Sequence, residues 1–394
     1  MKYKSPRFLF VLFTISCLLY SCGTVPIRNP LPEELSDQAQ ISGIPRAKFW
    51  GDEVPSFFED VAGQPREKLK QEFSGIYGKE HNYLALSGGG SNGAFGAGIL
   101  VGWSAAGTRP EFTMVTGIST GAIIAPFAFL GSAYDAQLKE MYTTYSTNDL
   151  IIEHNILTTI TGSGAADTAP LKKLLGKYFD QVFMEAIAAE YRKGRRLFIG
   201  TTNLDAKRPV IWNVGLIAAS KHPDALELIH KVIVASASIP GAFSPVIIEV
   251  ESNGKRYDEL HVDGGTARQV FLYPADMDWE LVTQHLDVKG TPRVYVIRNS
   301  FLEPEYETIE AKIIPITNIS IGSLIRTQGI GDMYRIYLDC QRDGIAYNLA
   351  YIPDTFDVKP NESFDPVYMG ELFDFGHQMA KTGYPWINAP PGFE

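Results

Sequence analysis

The chain has 394 residues, of which 45% are hydrophobic and 20% charged, and its formal net charge is -10. That balance supplies a sizeable core and excludes global disorder. It also excludes a nucleic-acid footprint, which would be basic and clustered.

Lys2, Lys4 and Arg7 precede an apolar stretch, Phe8 to Tyr20, broken only by Thr14, Ser16 and Cys17. The stretch is short for a bilayer span, and residues 1–21 read as a signal peptide. It closes in Leu19-Tyr20-Ser21-Cys22-Gly23. That end resembles the lipobox of bacterial lipoproteins, with Tyr20 bulkier than the pattern. The resemblance implies a lipid anchor through Cys22 and a place in the bacterial cell envelope, on the outer membrane or periplasmic face. An ordinary signal peptide or an uncleaved anchor are the alternatives. Cleavage before Cys22 removes three cations and leaves a charge of about -13. Acyl chains, not charge, would then hold the protein to a membrane. With Cys22 lipid-modified, Cys340 would be the only free cysteine, which rules out an internal disulfide and a cysteine zinc site.

Residues 22–75 read as a linker passing into a packed extension, because Phe49, Trp50, Phe57 and Phe58 are too apolar for a free tether. Residues 76–394 read as one domain, with its core motifs in 83–300. Strands are predicted at 83–88, 112–119, 195–204, 210–214, 293–300 and 345–353. Helices are predicted at 95–106, 122–130, 171–178, 226–237 and 320–343. Strands alternating with helices predict an α/β layered sheet. The stretch 150–168 reads as a loop or cap.

The first motif is "LALSGGGSNGAFGAGIL", from Leu84 to Leu100. Its glycine run is Gly88, Gly89 and Gly90, with Gly93 following. A P-loop would close on Gly-Lys-Ser/Thr, and no lysine stands there. A dinucleotide loop would need a later acidic residue; Gly88, Gly90 and Gly93 fit its spacing and Glu111 falls near the required distance. The third reading is an oxyanion hole, in which bare amides at a helix start meet a charge formed during acyl transfer. A ligand-free turn is the fourth.

The second motif favours the oxyanion hole. Gly117-Ile118-Ser119-Thr120-Gly121 is a G-x-S-x-G between a strand and a helix, the setting of a nucleophile elbow. Ser119 needs a base. None of the seven histidines sits in a supporting motif, although His261 precedes Asp263 by two residues. Asp263-Gly264-Gly265 places a carboxylate at an open turn, where it could take the serine proton directly. Read alone, the same three residues are also a simple turn.

Together these blocks resemble the patatin-like phospholipase family: a glycine-rich loop, G-x-S-x-G, then A-S-x-x-x-P at Ala235 to Pro240, then D-G-G. The resemblance implies a three-layer α/β/α fold with a central, mostly parallel sheet. It implies lipid acyl hydrolysis by a Ser119–Asp263 dyad, with oxyanion donors at Gly88, Gly89 and Gly90. Gly93, Gly117, Gly121, Gly264 and Gly265 support the motifs. Membrane lipids, phospholipids first, are the implied substrates, with no cofactor and no metal. Asn92 stands where the family usually carries Arg or Lys. An esterase or thioesterase on other acyl substrates, or a non-catalytic lipid-binding lipoprotein, would share these blocks.

Overall fold

The computed structural model describes residues 28–393 other than 57, 59–62, 154–165, 305 and 307. The expected signal segment 1–21, the Cys22 lipidation site, Phe57 and most of the loop 150–168 lie outside the described residues. The strands are β1 (Lys48–Trp50), β2 (Asn82–Leu86), β3 (Met114–Gly117), β4 (Ile152–Glu153), β5 (Ala166–Asp167), β6 (Arg196–Asn203), β7 (Arg208–Asn213), β8 (Val246–Ser252), β9 (Lys255–Asp263), β10 (Arg293–Arg298) and β11 (Ala346–Tyr351). β4 and β5 pair as a separate ribbon.

The centre of the main sheet is parallel, in the order β6-β3-β2-β10-β11. β2 and β3 are buried along their whole length, as strands covered on both faces must be. The helices that matter here are α1 (Gly93–Ala105), α2 (Thr120–Leu130), α3 (Ala225–Ser236), α4 (Ile313–Asp343) and α5 (Pro366–Lys381). α1, α2, α3 and α5 share the core on one face. On the other face, Met333, Ile336 and Cys340 of α4 pack on Val294, Val296 and Leu349 of β10 and β11. This is the expected three-layer α/β/α fold. Pro126 lies inside α2.

One change of partner shapes the active end. β7 occupies one edge of β6. The other edge is taken first by β3, as far as Gly117 opposite Ile199. There β3 stops, and β9 enters antiparallel along the same edge, ending with Asp263 opposite Thr201. The last residue of β9 therefore arrives where the chain leaving β3 begins its turn. β8 and β9 are joined by Asn253-Gly254, both with positive φ, the pair a two-residue hairpin turn prefers. The N-terminal extension supplies more than packing: β1 adds antiparallel to β7, with Lys48 opposite Trp212.

α5 lies against α1 at backbone distance. A side chain at Gly98 would overlap the Phe373 carbonyl, and one at Gly102 the His377 carbonyl. Gly370, also on α5, faces open space. Gly102→Ala should therefore cost roughly 1–3 kcal/mol by overpacking. Gly370→Ala should stabilise by about 0.5–1 kcal/mol, because alanine restricts the unfolded chain and favours helix. Urea unfolding midpoints check both signs in one experiment.

Candidate active site

Ser119 sits at the sharp turn from β3 into α2, with φ 55° and ψ −123°. That conformation costs a non-glycine residue on the order of 1–3 kcal/mol, so the surroundings must hold it. Ser236 Oγ, from the A-S-x-x-x-P block, accepts the Ser119 N–H at 3.0 Å and donates to the Gly200 carbonyl at 2.6 Å. Gly117 and Gly121 flank the turn in close contact: a side chain on Gly117 would strike the Gly121 carbonyl, and one on Gly121 the Leu86 carbonyl. Gly93 is held against Thr120 in the same way. The start of α2 directs its positive end toward this turn.

Asp263 closes β9 and is 4% exposed. Its Oδ1 accepts the Gly265 N–H at 2.7 Å. Its Oδ2 is buried without a hydrogen bond among the described residues. Burial pushes the carboxyl up to about 7, and the neighbouring Ser119 hydroxyl and the Gly265 amide hold it from rising further. No hydrogen bond of ordinary geometry yet joins the two side chains, although the serine is close enough to stabilise the carboxylate. Apo sites often leave such a bond to tighten when substrate arrives. Gly264 and Gly265 allow the close turn: a side chain on the first would press on the Gly200 carbonyl, one on the second on Gln269.

The glycine loop needs one correction. The Gly88 N–H donates to the Gln269 carbonyl at 3.1 Å, so it is not free to serve an oxyanion. The Gly89 and Gly90 amides have no acceptor among the described residues. Gly89 must be glycine, since a side chain there would collide with the Asn299 carbonyl. Asn299 also fixes the loop's entry, donating from Nδ2 to the Ser87 carbonyl at 3.0 Å and accepting the Gly96 N–H at 3.1 Å. Asn92 accepts from the Tyr368 hydroxyl at 2.5 Å and so ties the loop to α5.

Gln269 joins both halves of the site. Its Nε2 donates to the Gly265 carbonyl at 2.8 Å, and its own N–H donates to Asp332 of α4 at 2.7 Å. No sequence motif announced Gln269, Asn299 or Asp332. Ser236 was visible as part of a block but without a role.

No described histidine serves Ser119. His261 bonds Thr201 through Nδ1 and Glu259 through Nε2, which occupies both ring nitrogens. His81 is likewise engaged, by Tyr83 and the Ile76 carbonyl. His154 lies outside the described residues.

A cavity of about 70 Å³ opens at Ser119 and Gly90, with apolar walls that include Ile123, Met141, Leu174, Ile239 and Phe243. A roomier apolar cavity of about 220 Å³, among Phe49, Phe73, Phe198, Phe271 and Trp279, does not reach Ser119 and is lined by no serine, threonine or cysteine. The smaller one is the place where an acyl chain would meet the serine. Among the described residues there is no cluster of ligands suited to a metal.

Comparison with known proteins points to one family. Residues 84–276 match the family model described as Patatin-like phospholipase. Among solved structures, the chain is similar to VipD from Legionella pneumophila, at 13% identity and a TM-score of 0.35, over 77% of this chain and 67% of that one. That likeness is too remote to carry an argument. No curated protein matches the sequence. Residues 84–276 are thus a patatin-like phospholipase domain.

Proposed function

We propose that the protein is a serine hydrolase of fatty acyl esters, phospholipids first, acting through Ser119 and Asp263. The supporting observation is the buried, unbonded Oδ2 of Asp263 beside the Ser119 hydroxyl at a strained turn. Asp263 takes the hydroxyl proton as Ser119 Oγ attacks the acyl carbonyl. The Gly89 and Gly90 amides receive the oxyanion as the tetrahedral intermediate forms. Asp263 returns the proton to the departing alcohol, leaving an acyl-serine. Water then attacks the acyl-serine with Asp263 again as base, releasing the fatty acid and restoring the serine. The carboxyl at about 7 suits that double role far better than an ordinary aspartate near 4. We further propose that lipidated Cys22 anchors the enzyme in the cell envelope, on the support of the lipobox-like sequence around it.

A fluorophosphonate probe should label the protein at Ser119. Absence of label, or label that persists in Ser119→Ala, would reject the reading. With Asp263 as base, kcat/KM should rise about tenfold per pH unit below 7 and level off above it.

Asp263→Asn should abolish turnover and yet stabilise the fold at alkaline pH. The sign follows from linkage. The folded pKa is raised above the unfolded value, so between about 4 and 7 the native state binds the extra proton. Stability conferred by the protonated acid is therefore lost as pH rises through 7. The variant should gain roughly 1–3 kcal/mol at pH 8 and little at pH 4. Thermal melts across that range read the difference.

Ser236→Ala should cost roughly 1–3 kcal/mol, because it leaves the buried Ser119 N–H without its acceptor. Its kinetic signature should be a lower kcat with KM nearly unchanged.

A further inference from the structure

The long helix α4 runs antiparallel to the strand that follows it, so its N-terminal half points toward the C-terminal ends of the parallel strands. Gly329 packs on the Arg298 guanidinium, at the end of β10. Gln328 donates to the Ala267 carbonyl, just past the Asp263 turn. Residues 313–327 therefore project about 22 Å beyond the catalytic end of the sheet, at 1.5 Å per residue.

This projecting half is apolar and open. Ile313 to Ile325 includes no charged residue. Ile316 is 50% exposed, Ile319 45%, Ile321 37% and Leu324 70%. At about 100° per residue these four spread across roughly 200° of the helix. A protein groove covers one stripe of a helix; a medium that is apolar on all sides accommodates such a spread. The free run is about 20 Å long, which spans one leaflet of a hydrocarbon core about 30 Å thick. Among the described residues, no helix is long and apolar enough to cross a membrane. Between Glu310 and Asp332 the charges are Lys312, paired with Glu310 at 2.6 Å, and Arg326, which donates to the Leu302 carbonyl, and no carboxylate falls within the run to oppose its entry into lipid.

We propose that the N-terminal half of α4 is a lipid-surface docking helix that seats the catalytic end of the sheet on a membrane. It enters one leaflet from the side on which Ser119 lies. Its root is fixed to the site, because Asp332 on the same helix holds Gln269, which in turn holds both the glycine loop and the Asp263 turn. The docked helix thereby sets the position of the serine relative to the lipid. The inference rests on the proposed acyl hydrolysis for its purpose, though not for its test.

The test compares the full chain with Ile321→Glu/Leu324→Glu, both carrying Ser119→Ala and Cys22→Ser so that no acyl anchor contributes, by flotation with vesicles of phosphatidylcholine and phosphatidylglycerol. The pair of charges should reduce the bound fraction at least fivefold, while circular dichroism and the melting temperature stay unchanged. In the active background, turnover of vesicle phospholipid should fall about tenfold, and turnover of a short soluble ester should stay within twofold. Equal flotation of the two proteins would overturn the docking role. So would a wild-type dimer, seen by light scattering, that the variant converts to monomer with vesicle binding unaltered; α4 would then be a contact between copies. Loss of all ester turnover in the unsubstituted enzyme would reject the hydrolase reading and leave the flotation result to stand by itself.

Discussion

The edge of β6 shared by β3 and β9 is the constraint on which the site depends. Two strands cannot occupy the same hydrogen-bonding edge at the same height. β3 must stop at Gly117 for β9 to end at Asp263 opposite Thr201. The chain leaving β3 is thus forced into an abrupt turn, and the residue in that turn faces a carboxyl delivered from the opposite direction. Register, rather than any single side-chain contact, brings serine and aspartate together. The cost is local strain at Ser119 and a carboxyl oxygen buried without a bond. Ser236, Gln269 and Asn299 offset it by fixing the turn, the aspartate loop and the glycine loop to the surrounding backbone.

β9 also displays why one acid on it suits the proposed role of base and another does not. Glu259, His261 and Asp263 alternate onto one face of the strand. Burial works against the charge on Glu259, but His261 and Lys48 outweigh it and hold that carboxyl below its ordinary value. The Lys48 ammonium lies 2.6 Å from it. Among the described residues Asp263 has no cation beside it, so burial prevails and its pKa climbs to about 7. The same face of one strand carries a neutralised acid and a poised one. Lys48 comes from the N-terminal extension, so that segment contributes an ion pair beneath the site as well as an edge strand. His261 is drawn into the Glu259 pair and buried, and burial lowers its pKa, which leaves it a neutral structural imidazole.

Much of this was legible in the sequence, for local reasons. The apolar runs ending in glycine fixed β2 and β3, and the three-to-four spacing revealed the long helix. That helix was expected from residue 320 and begins at Ile313, because Pro315 falls in its first turn. There the missing N–H has no intrahelical acceptor to lose. Other local signals are as plain: Asn253-Gly254 marks the β8–β9 hairpin, and Asp365-Pro366 caps α5. What could not be read was long-range. Nothing near Gly88 says that the Gln269 carbonyl would occupy its amide. Nothing near Asp332 says that it would brace the loop carrying that carbonyl. Motifs report backbone geometry that glycine and serine make possible locally, whereas the choice of which amide stays free belongs to the packed whole.

Dryness is the remaining link between structure and substrate. Asp263 is a useful base near neutrality only while its carboxyl stays out of water, since solvation would return it toward about 4 and weaken it as a proton acceptor. A polar ester entering the cavity carries its hydration with it. On the proposed reading, a fatty acyl chain would shed its water at the apolar walls of Ile123, Met141 and Phe243 and bring its carbonyl to Ser119 without wetting the acid. The burial that raises the pKa and the apolar cavity beside Ser119 would therefore favour the same class of molecule. On the proposed reading, preference for lipid arises from the requirement to keep the catalytic carboxyl unsolvated, and no separate recognition of a head group is needed to produce it.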